Sequence, residues 1–175
     1  SSRLGPLCVG RSGWSQGFFD FNNDGWKDLF VSGSHVNDMI ERFEASRYKE
    51  ANMIFANNGG TFEDLSAGAG EDFRFLRAHR GTGFGDFNGD GKVDVVISVL
   101  GEPAELWENV SPEGNHWLAL KLTGSKSNRD GIGARIKVVA GDLTQVDEVH
   151  SGRGYQSHYG MYPHFGLGHR TRIDR

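Results

Sequence analysis

Two stretches of the chain show the same order of apolar and polar positions. Residues 17–31 contain an apolar strand, an acidic loop and a second apolar strand, and residues 83–97 repeat this order without a gap. A further short apolar segment with an Asn near its end follows each copy, at residues 53–58 and 105–110. Self-similarity at a fixed period is typical of propellers and solenoids. The pattern therefore predicts an all-β region built from two repeated units.

One helix is expected inside the first unit. Met39, Ile40 and Phe43 fall at helical spacing, with charged residues on the other side of the segment. Apolar positions spaced in this way indicate one face of a helix. We therefore predict a short inserted helix within residues 36–51.

The last third of the chain differs from the repeated part. A turn cluster at residues 111–115 precedes it, which divides the chain into a region of residues 1–110 and one of residues 111–175. Alternating apolar positions predict strands at residues 117–122 and 134–140. We expect a small, non-repetitive β-domain here.

Composition supports short strands joined by tight turns. The chain has 175 residues with 26 Gly, about twice average usage, together with 12 Phe and 4 Trp. The net charge of -4 argues against a strongly basic nucleic-acid binder. No apolar run reaches the roughly 20 residues of a membrane-spanning helix, so no membrane insertion is expected. The single Cys8 excludes an internal disulfide framework and a cysteine-built zinc site.

The negative charge is concentrated in two loops, residues 20–28 and 86–94, each with three Asp and one Lys. Both loops read Asp-x-Asn-x-Asp-Gly-x-x-Asp, and oxygen donors at positions 1, 3, 5, 7 and 9 of such a loop can surround one cation. The predicted ligands are the side chains of Asp20, Asn22, Asp24 and Asp28 with the Trp26 carbonyl, and the side chains of Asp86, Asn88, Asp90 and Asp94 with the Lys92 carbonyl.

A flexible set of oxygen ligands favours Ca²⁺ over Mg²⁺ or Zn²⁺, so we predict two Ca²⁺ sites with a structural role. Gly25 and Gly91 stand at position 6, where the loop bends sharply. An EF-hand would need Glu at position 12, but Val31 and Ile97 stand there, and the flanking segments are strand-like. The loops therefore belong to a different calcium architecture, closed inside a β-hairpin.

The residues of the repeat resemble FG-GAP/VCBS units, the calcium-loop blades of integrin-like β-propellers, over about residues 10–110. The turn at residues 57–62 has the Asn-rich, Gly-rich form that these units often carry. Residues 127–135 and 164–168 resemble the ASPIC/UnbV domain, which follows such repeats in cartilage-acidic-protein-like and bacterial secreted proteins. The resemblance implies an all-β fold with two calcium-loop propeller blades, a partial propeller, followed by a small C-terminal β-domain that is truncated.

A propeller needs at least four blades, so this reading makes the chain a fragment that depends on the remainder of a longer parent chain. The apolar runs at residues 29–31 and 93–100 would then face missing blades. Exposed faces of this kind mark a missing partner or an aggregation risk. We therefore expect a poorly soluble or oligomeric protein.

The expected function is that of a calcium-stabilised, non-catalytic recognition or adhesion module, extracellular or periplasmic, whose partner is a protein or a glycan. Weak calcium modules of this type fill outside the cell, where the ion is abundant. The alternative is a substrate- or carbohydrate-binding accessory region of a secreted enzyme, for which Trp117 and Tyr155 could form an aromatic sugar platform. His164 is expected to be packed or hydrogen-bonded at a strand end, and Asn128 to brace a turn.

Overall fold

The structure, a computed structural model, describes residues 2–175, and strands form most of its regular elements. The strands are β1 (Gly13–Phe19), β2 (Asp28–Gly33), β3 (Met53–Asn58), β4 (Thr61–Asp64), β5 (His79–Gly85), β6 (Asp94–Val99), β7 (Glu105–Trp107), β8 (His116–Ala119), β9 (Arg135–Ala140), β10 (Leu143–Glu148) and β11 (His164–Gly168). The helices are α1 (Leu4–Leu7) and two 3-10 turns, Ile40–Arg42 and Glu71–Arg74. Within residues 2–175, no helix is long and apolar enough to cross a membrane.

Each repeated unit forms one antiparallel sheet. The first sheet has the order β1-β2-β3-β4, and the second sheet has the order β5-β6-β7. Pairing follows the repeat, because Gly17 lies opposite Phe30 in the first sheet and Gly83 lies opposite Val96 in the second. The first acidic loop joins β1 to β2, and the second joins β5 to β6. The sequence repeat is therefore a repeat of structure over three strands, and β4 has no counterpart in the second sheet as the structure describes it.

The two sheets pack face to face through aromatic side chains. The ring of Phe84, on β5, lies against Gly17, where a Cβ atom would come within 2.5 Å of the ring. Phe19 stacks on the same ring with a centroid distance of 4.5 Å, and Phe30 meets it edge-on. Burial of rings of this size supplies a large hydrophobic contribution to stability.

We expected the outer apolar faces of both sheets to be uncovered, but one of them is covered. On the first sheet, α1 packs over Leu29 and Met53, so the apolar run at residues 29–31 is covered. On the second sheet, Val96 and Leu106 form an exposed cross-strand pair, and Leu106 is 65% exposed. Among the described residues, the second sheet thus keeps the more open apolar face, although Phe18 on the first sheet is half exposed.

The helix predicted within residues 36–51 is not formed. Only Ile40–Arg42 adopts a 3-10 turn, and Ile40 is buried while Phe43 is exposed. Asn37 Oδ1 accepts a hydrogen bond from the Met39 backbone (3.0 Å), a local contact that competes with a helical turn. The prediction was wrong because the helical spacing of these apolar residues does not correspond to a shared buried face.

The C-terminal region (residues 111–175) consists of two small sheets, β8 with β11 and β9 with β10. Its own core contains Val138, Ala140, Phe165 and Leu167. The strand predicted over residues 117–122 is shorter and shifted, as β8 ends at Ala119. Asn128 braces a turn through two hydrogen bonds to the backbone of Ile132, as expected.

One segment of the C-terminal region reaches back between the two repeat sheets. Tyr159 is buried in their shared core, beside Phe19 and Phe84. Its hydroxyl donates a hydrogen bond to the Gln16 carbonyl on β1 (2.7 Å). The same segment brings Tyr155 edge-on against Trp14, with ring centroids 4.7 Å apart. The C-terminal region is therefore part of the contact that holds the two sheets together.

Candidate metal-binding loops

The first loop (residues 20–28) is organised around the carboxylate of Asp20. Its two oxygens accept hydrogen bonds from the backbone N–H groups of Asp24 (2.9 Å) and Gly25 (2.7 Å). Asn22 Oδ1 also accepts from Asp24 N (3.1 Å), and Asp24 Oδ1 accepts from Trp26 N (2.8 Å). Gly25 has a φ of 100°, which a residue with a side chain rarely adopts. The predicted donors at positions 1, 3 and 5 thus share one tight turn.

The second loop (residues 86–94) has the same internal hydrogen bonds. Asp86 accepts from the N–H groups of Asp90 (3.1 Å) and Gly91 (2.9 Å). Asn88 Oδ1 accepts from Asp90 N (3.0 Å), and Asp90 Oδ1 accepts from Lys92 N (2.9 Å). Gly91 has a φ of 85°. The shared sequence pattern therefore produces one local conformation twice.

The Asp at position 9 is held differently from the other donors. Asp28 Oδ2 accepts from Phe21 N (3.0 Å), and its Oδ1 accepts from Asn57 N (2.8 Å). Asp94 is held in the same way, by Phe87 N (2.9 Å) and Asn109 N (2.8 Å). Each of these carboxylates connects its loop to the third strand of the sheet or to the residues that follow it.

Asn57 and Asn109 are structural residues that the sequence identified only as repeated ends of a strand. Asn57 Nδ2 donates to the Lys27 carbonyl (2.9 Å), and Asn109 Nδ2 donates to the equivalent Val93 carbonyl (3.2 Å). Asn109 Nδ2 also donates to the Phe21 carbonyl of the other repeat (2.7 Å). The signal that could have identified them is their shared place in the two repeats.

The oxygen donors fit a hard cation by type and order, but the side chains do not all converge. Within residues 2–175, no three His, Cys, Asp or Glu side chains lie close enough together to hold a metal ion. Asp20, Asn22 and Asp24 share a turn, whereas the Asp28 oxygens are occupied by backbone N–H groups. Each carboxylate oxygen has a second lone pair, so a donated hydrogen bond leaves it able to bind a cation.

The two buried carboxylates of the first loop have no positively charged partner among the described residues. Asp20 is 3% exposed, and Asp28 is 4% exposed. Burial raises the pKa of Asp20 to about 7, with the neighbouring carboxylates adding to the rise, and burial raises the pKa of Asp28 to about 6. Among the described residues, no Lys, Arg or His forms an ion pair with either group. A cation at this loop would supply the missing positive charge.

The C-terminal region contacts both loops. His164 Nε2 donates to the Gly91 carbonyl (3.0 Å), and its ring stacks on Trp117 at a centroid distance of 5.7 Å. Burial lowers the pKa of His164, which agrees with the expected packed, hydrogen-bonded histidine. Trp117 lies here while Tyr155 contacts Trp14, so the aromatic pair considered as a sugar platform makes separate contacts.

Two family models match the chain. One, described as FG-GAP-like repeat, matches residues 20–97, which contain both acidic loops. The other, described as ASPIC and UnbV, matches residues 124–175 in the C-terminal region. The two matches follow each other in the order that the sequence resemblance implies.

The chain is also similar in sequence to proteins named Cartilage acidic protein 1. The chain is 42% identical over 64 residues to Cartilage acidic protein 1 of Mus musculus and of Homo sapiens, which covers 36% of this chain and 10% of each relative. It is 38% identical over 83 residues to Cartilage acidic protein 1 of Xenopus tropicalis, which covers 47% of this chain and 13% of the relative. The aligned part thus spans only about a tenth of these relatives. In this chain, a match to FG-GAP-like repeat at residues 20–97 is thus followed by a match to ASPIC and UnbV at residues 124–175.

Proposed function

We propose that the chain is a calcium-stabilised, non-catalytic recognition or adhesion module of an extracellular or periplasmic protein. The observation that carries the proposal is the pair of acidic loops with one sequence pattern and one set of internal hydrogen bonds. The residues that would hold Ca²⁺ are the ten predicted above, five in each loop. The bound ion would supply positive charge among three carboxylates in each loop.

The proposed role of the ion is structural. In both loops, the carboxylates already accept hydrogen bonds from the turn and from the third strand of the sheet or the residues just after it. A ligand that binds only the folded state stabilises it by mass action. Affinities of extracellular calcium modules are about 10⁻⁴–10⁻³ M, which supports a site that fills outside the cell.

We further propose that the two sheets are neighbouring blades of a larger propeller. The contact between them supports this, because Phe84 of the second sheet fits over Gly17 of the first. The equivalent glycine of the second sheet, Gly83, lies beside Val96 on the open face. That face would accept another sheet of the same kind, with an aromatic side chain over Gly83, supplied by the remainder of a longer parent chain.

The binding partner in this proposal is a protein or a glycan, and no nucleic acid or membrane insertion is proposed. Cartilage acidic protein names among the relatives support an extracellular setting. The alternative, a carbohydrate-binding part of a secreted enzyme, has less support, since Trp117 and Tyr155 pack against other side chains.

Calorimetric titration of the folded chain with Ca²⁺ tests the metal proposal. We expect a stoichiometry near two in the wild type and near one in Asp24→Ala or in Asp90→Ala. These variants remove a donor at position 5 of one loop and leave the other loop unchanged. No heat of binding at millimolar Ca²⁺ would overturn the proposal.

A further inference from the structure

The C-terminal region lies directly on the first loop, with no space between them. A Cβ atom on Gly166, in β11, would fall 2.0 Å from Asp20 Oδ2 and 2.5 Å from the Asn23 Cα. The Gly168 N–H donates a hydrogen bond to the Asn23 carbonyl (2.8 Å). Only glycine at position 166 allows the strand to approach the Asp20 carboxylate this closely.

Neighbouring residues of the C-terminal region hold this strand against the loop. Gln145 Nε2 donates to the Gly166 carbonyl (2.7 Å) in a buried position. The Leu143 side chain packs against Gly25, where a Cβ would lie 3.1 Å from it. Lys27, in the loop, forms an ion pair with Asp147 (2.6 Å). Contacts from both C-terminal sheets therefore meet at the first loop.

The second loop has much less cover. The C-terminal region contacts it at Gly91, through His164 and Trp117, and through an ion pair between Glu113 and Lys92 (2.7 Å). Asn23 of the first loop also donates a hydrogen bond to the Gly91 carbonyl (3.0 Å). None of these contacts is to a donor side chain of the second loop. Residues 87–90 at its tip are exposed. The two loops thus have the same donors but different surroundings.

We propose that the C-terminal region forms the outer wall of the first cation site, with Gly166 as a positioning residue for Asp20. Cation binding to the first loop and docking of the C-terminal region are then coupled. The second loop, whose C-terminal contacts are with Gly91 and the Lys92 ammonium and not with a donor side chain, depends on docking far less. This inference rests on the proposed calcium function.

The coupling follows from the shared atoms. The Asp20 oxygen that faces Gly166 also accepts the Gly25 N–H, so the position of β11 fixes a donor oxygen. The Asn23 carbonyl that binds Gly168 belongs to the same turn. Coupling between two binding events is reciprocal, so a cation that orders this turn favours docking, and docking favours the cation.

Gly166→Ala tests the coupling, because its methyl group forces β11 away from the loop. The Ca²⁺ affinity of the first loop is measured alone in an Asp90→Ala background, and that of the second loop alone in an Asp24→Ala background. We expect Gly166→Ala to weaken the first loop about 10-fold or more and the second loop far less. Gly68→Ala is the matched control, because its methyl group would meet only the Leu65 carbonyl at an ordinary 3.8 Å.

Two further measurements keep the test decisive if Gly166→Ala folds poorly. Leu143→Ala removes packing against Gly25 without a clash and is expected to weaken the first loop in the same direction. In the otherwise wild-type chain, Ca²⁺ is expected to slow hydrogen exchange of the Gly168 amide, and Asp24→Ala is expected to abolish this effect while Asp90→Ala retains it.

The outcomes separate this inference from the calcium proposal. If the wild type binds two Ca²⁺ and both C-terminal variants leave the first loop unchanged, or weaken the two loops equally, the coupling is wrong and the calcium proposal stands. If the wild type binds no Ca²⁺, both are wrong.

Discussion

The two acidic loops share their internal hydrogen bonds and differ in what covers them. Position 1 of each loop accepts the same N–H groups, and position 9 of each loop connects to the third strand of its sheet or just beyond it. Yet Asp20 is almost fully buried, whereas residues 87–90 of the second loop are exposed. The loop conformation is therefore a local property, and its burial is set by distant parts of the chain.

The contrast is clearest at position 2 of the loops. Phe21 is 7% exposed in the core between the sheets, while its equivalent Phe87 is 53% exposed. The second sheet supplies the cover for Phe21, and in residues 2–175 no third sheet supplies it for Phe87. Repeated sequence thus predicts repeated conformation, but not repeated stability.

The largest expected difference comes from truncation of these two aromatic residues. Phe21→Ala should lower the free energy of unfolding by about 3–5 kcal/mol, because it leaves a cavity in the shared core. Phe87→Ala should change it by about 1 kcal/mol or less, because its ring is mostly in water. Urea unfolding of both variants gives the values, and equal losses would show that the two positions have the same environment.

Removal of the cation should have the next largest effect. With two sites of about 10⁻⁴–10⁻³ M affinity, millimolar Ca²⁺ should stabilise the fold by about 1–3 kcal/mol relative to chelator. For a chain of this size, that corresponds to a rise in melting temperature of about 2–12 °C. The Asp24→Ala/Asp90→Ala double variant serves as the control, since its melting temperature should not respond. Equal melting temperatures of the wild type in Ca²⁺ and in chelator would show that the loops are not stabilising metal sites.

Loss of Asn109, which holds the position-9 Asp of the second loop, should destabilise the fold more than loss of Asn57, its counterpart in the first loop. Asn109→Ala removes hydrogen bonds to the Val93 carbonyl, to the Phe21 carbonyl of the other repeat and from Ser111 N, so we expect a loss of about 2 kcal/mol. Asn57→Ala removes a bond to the Lys27 carbonyl and one from the exposed Gly60 N, with none to the other repeat, and is expected to cost about 1 kcal/mol. Chemical denaturation in chelator measures both without a contribution from the metal. A greater loss in Asn57→Ala would mean that the contact between repeats adds nothing.

The smallest effect concerns pH at the second loop. Burial lowers the pKa of His164, so the unfolded chain binds a proton that the folded chain resists. The stability that this group contributes is therefore full above its unfolded pKa of 6.5 and falls as the pH drops below it. His164→Gln keeps a side-chain N–H donor for the Gly91 carbonyl and should lose less stability between about pH 7.5 and about pH 5.5. An unchanged pH dependence would assign the acid sensitivity to other groups.

Much of the repeat region could be predicted from the sequence, because local rules decide it. The Asp-x-Asn-x-Asp-Gly pattern determines the turn, as the hydrogen bonds of Asp20 and Asp86 demonstrate. The apolar run after the second loop predicted strand β6, but not its alternating burial, with Val95 and Ile97 inside and Val96 outside. The predicted helix within residues 36–51 is absent for a local reason as well. Asn37 Oδ1 accepts a hydrogen bond from the Met39 N–H, and this contact competes with a helical turn.

The arrangement of the C-terminal region could not be predicted in this way. Its contacts join residues far apart in the chain, such as Gly166 with Asp20 and Tyr159 with Gln16. No spacing rule relates such residues, and the repeat even suggests two equivalent loops. Cover of the first sheet by α1 is missed for the same reason, because Leu4 and Leu7 form no pattern with the strands they cover.

The position of Tyr159 has a consequence for synthesis of the protein. The ring completes a core whose other members, Phe19 and Phe84, leave the ribosome much earlier. At about 5–20 residues per second, the delay between Gln16 and its hydrogen-bond partner Tyr159 is roughly 7–30 s. During this interval the two sheets lack a side chain that closes their junction. The junction between the two sheets can therefore close completely only after the segment that carries Tyr159 has been synthesised.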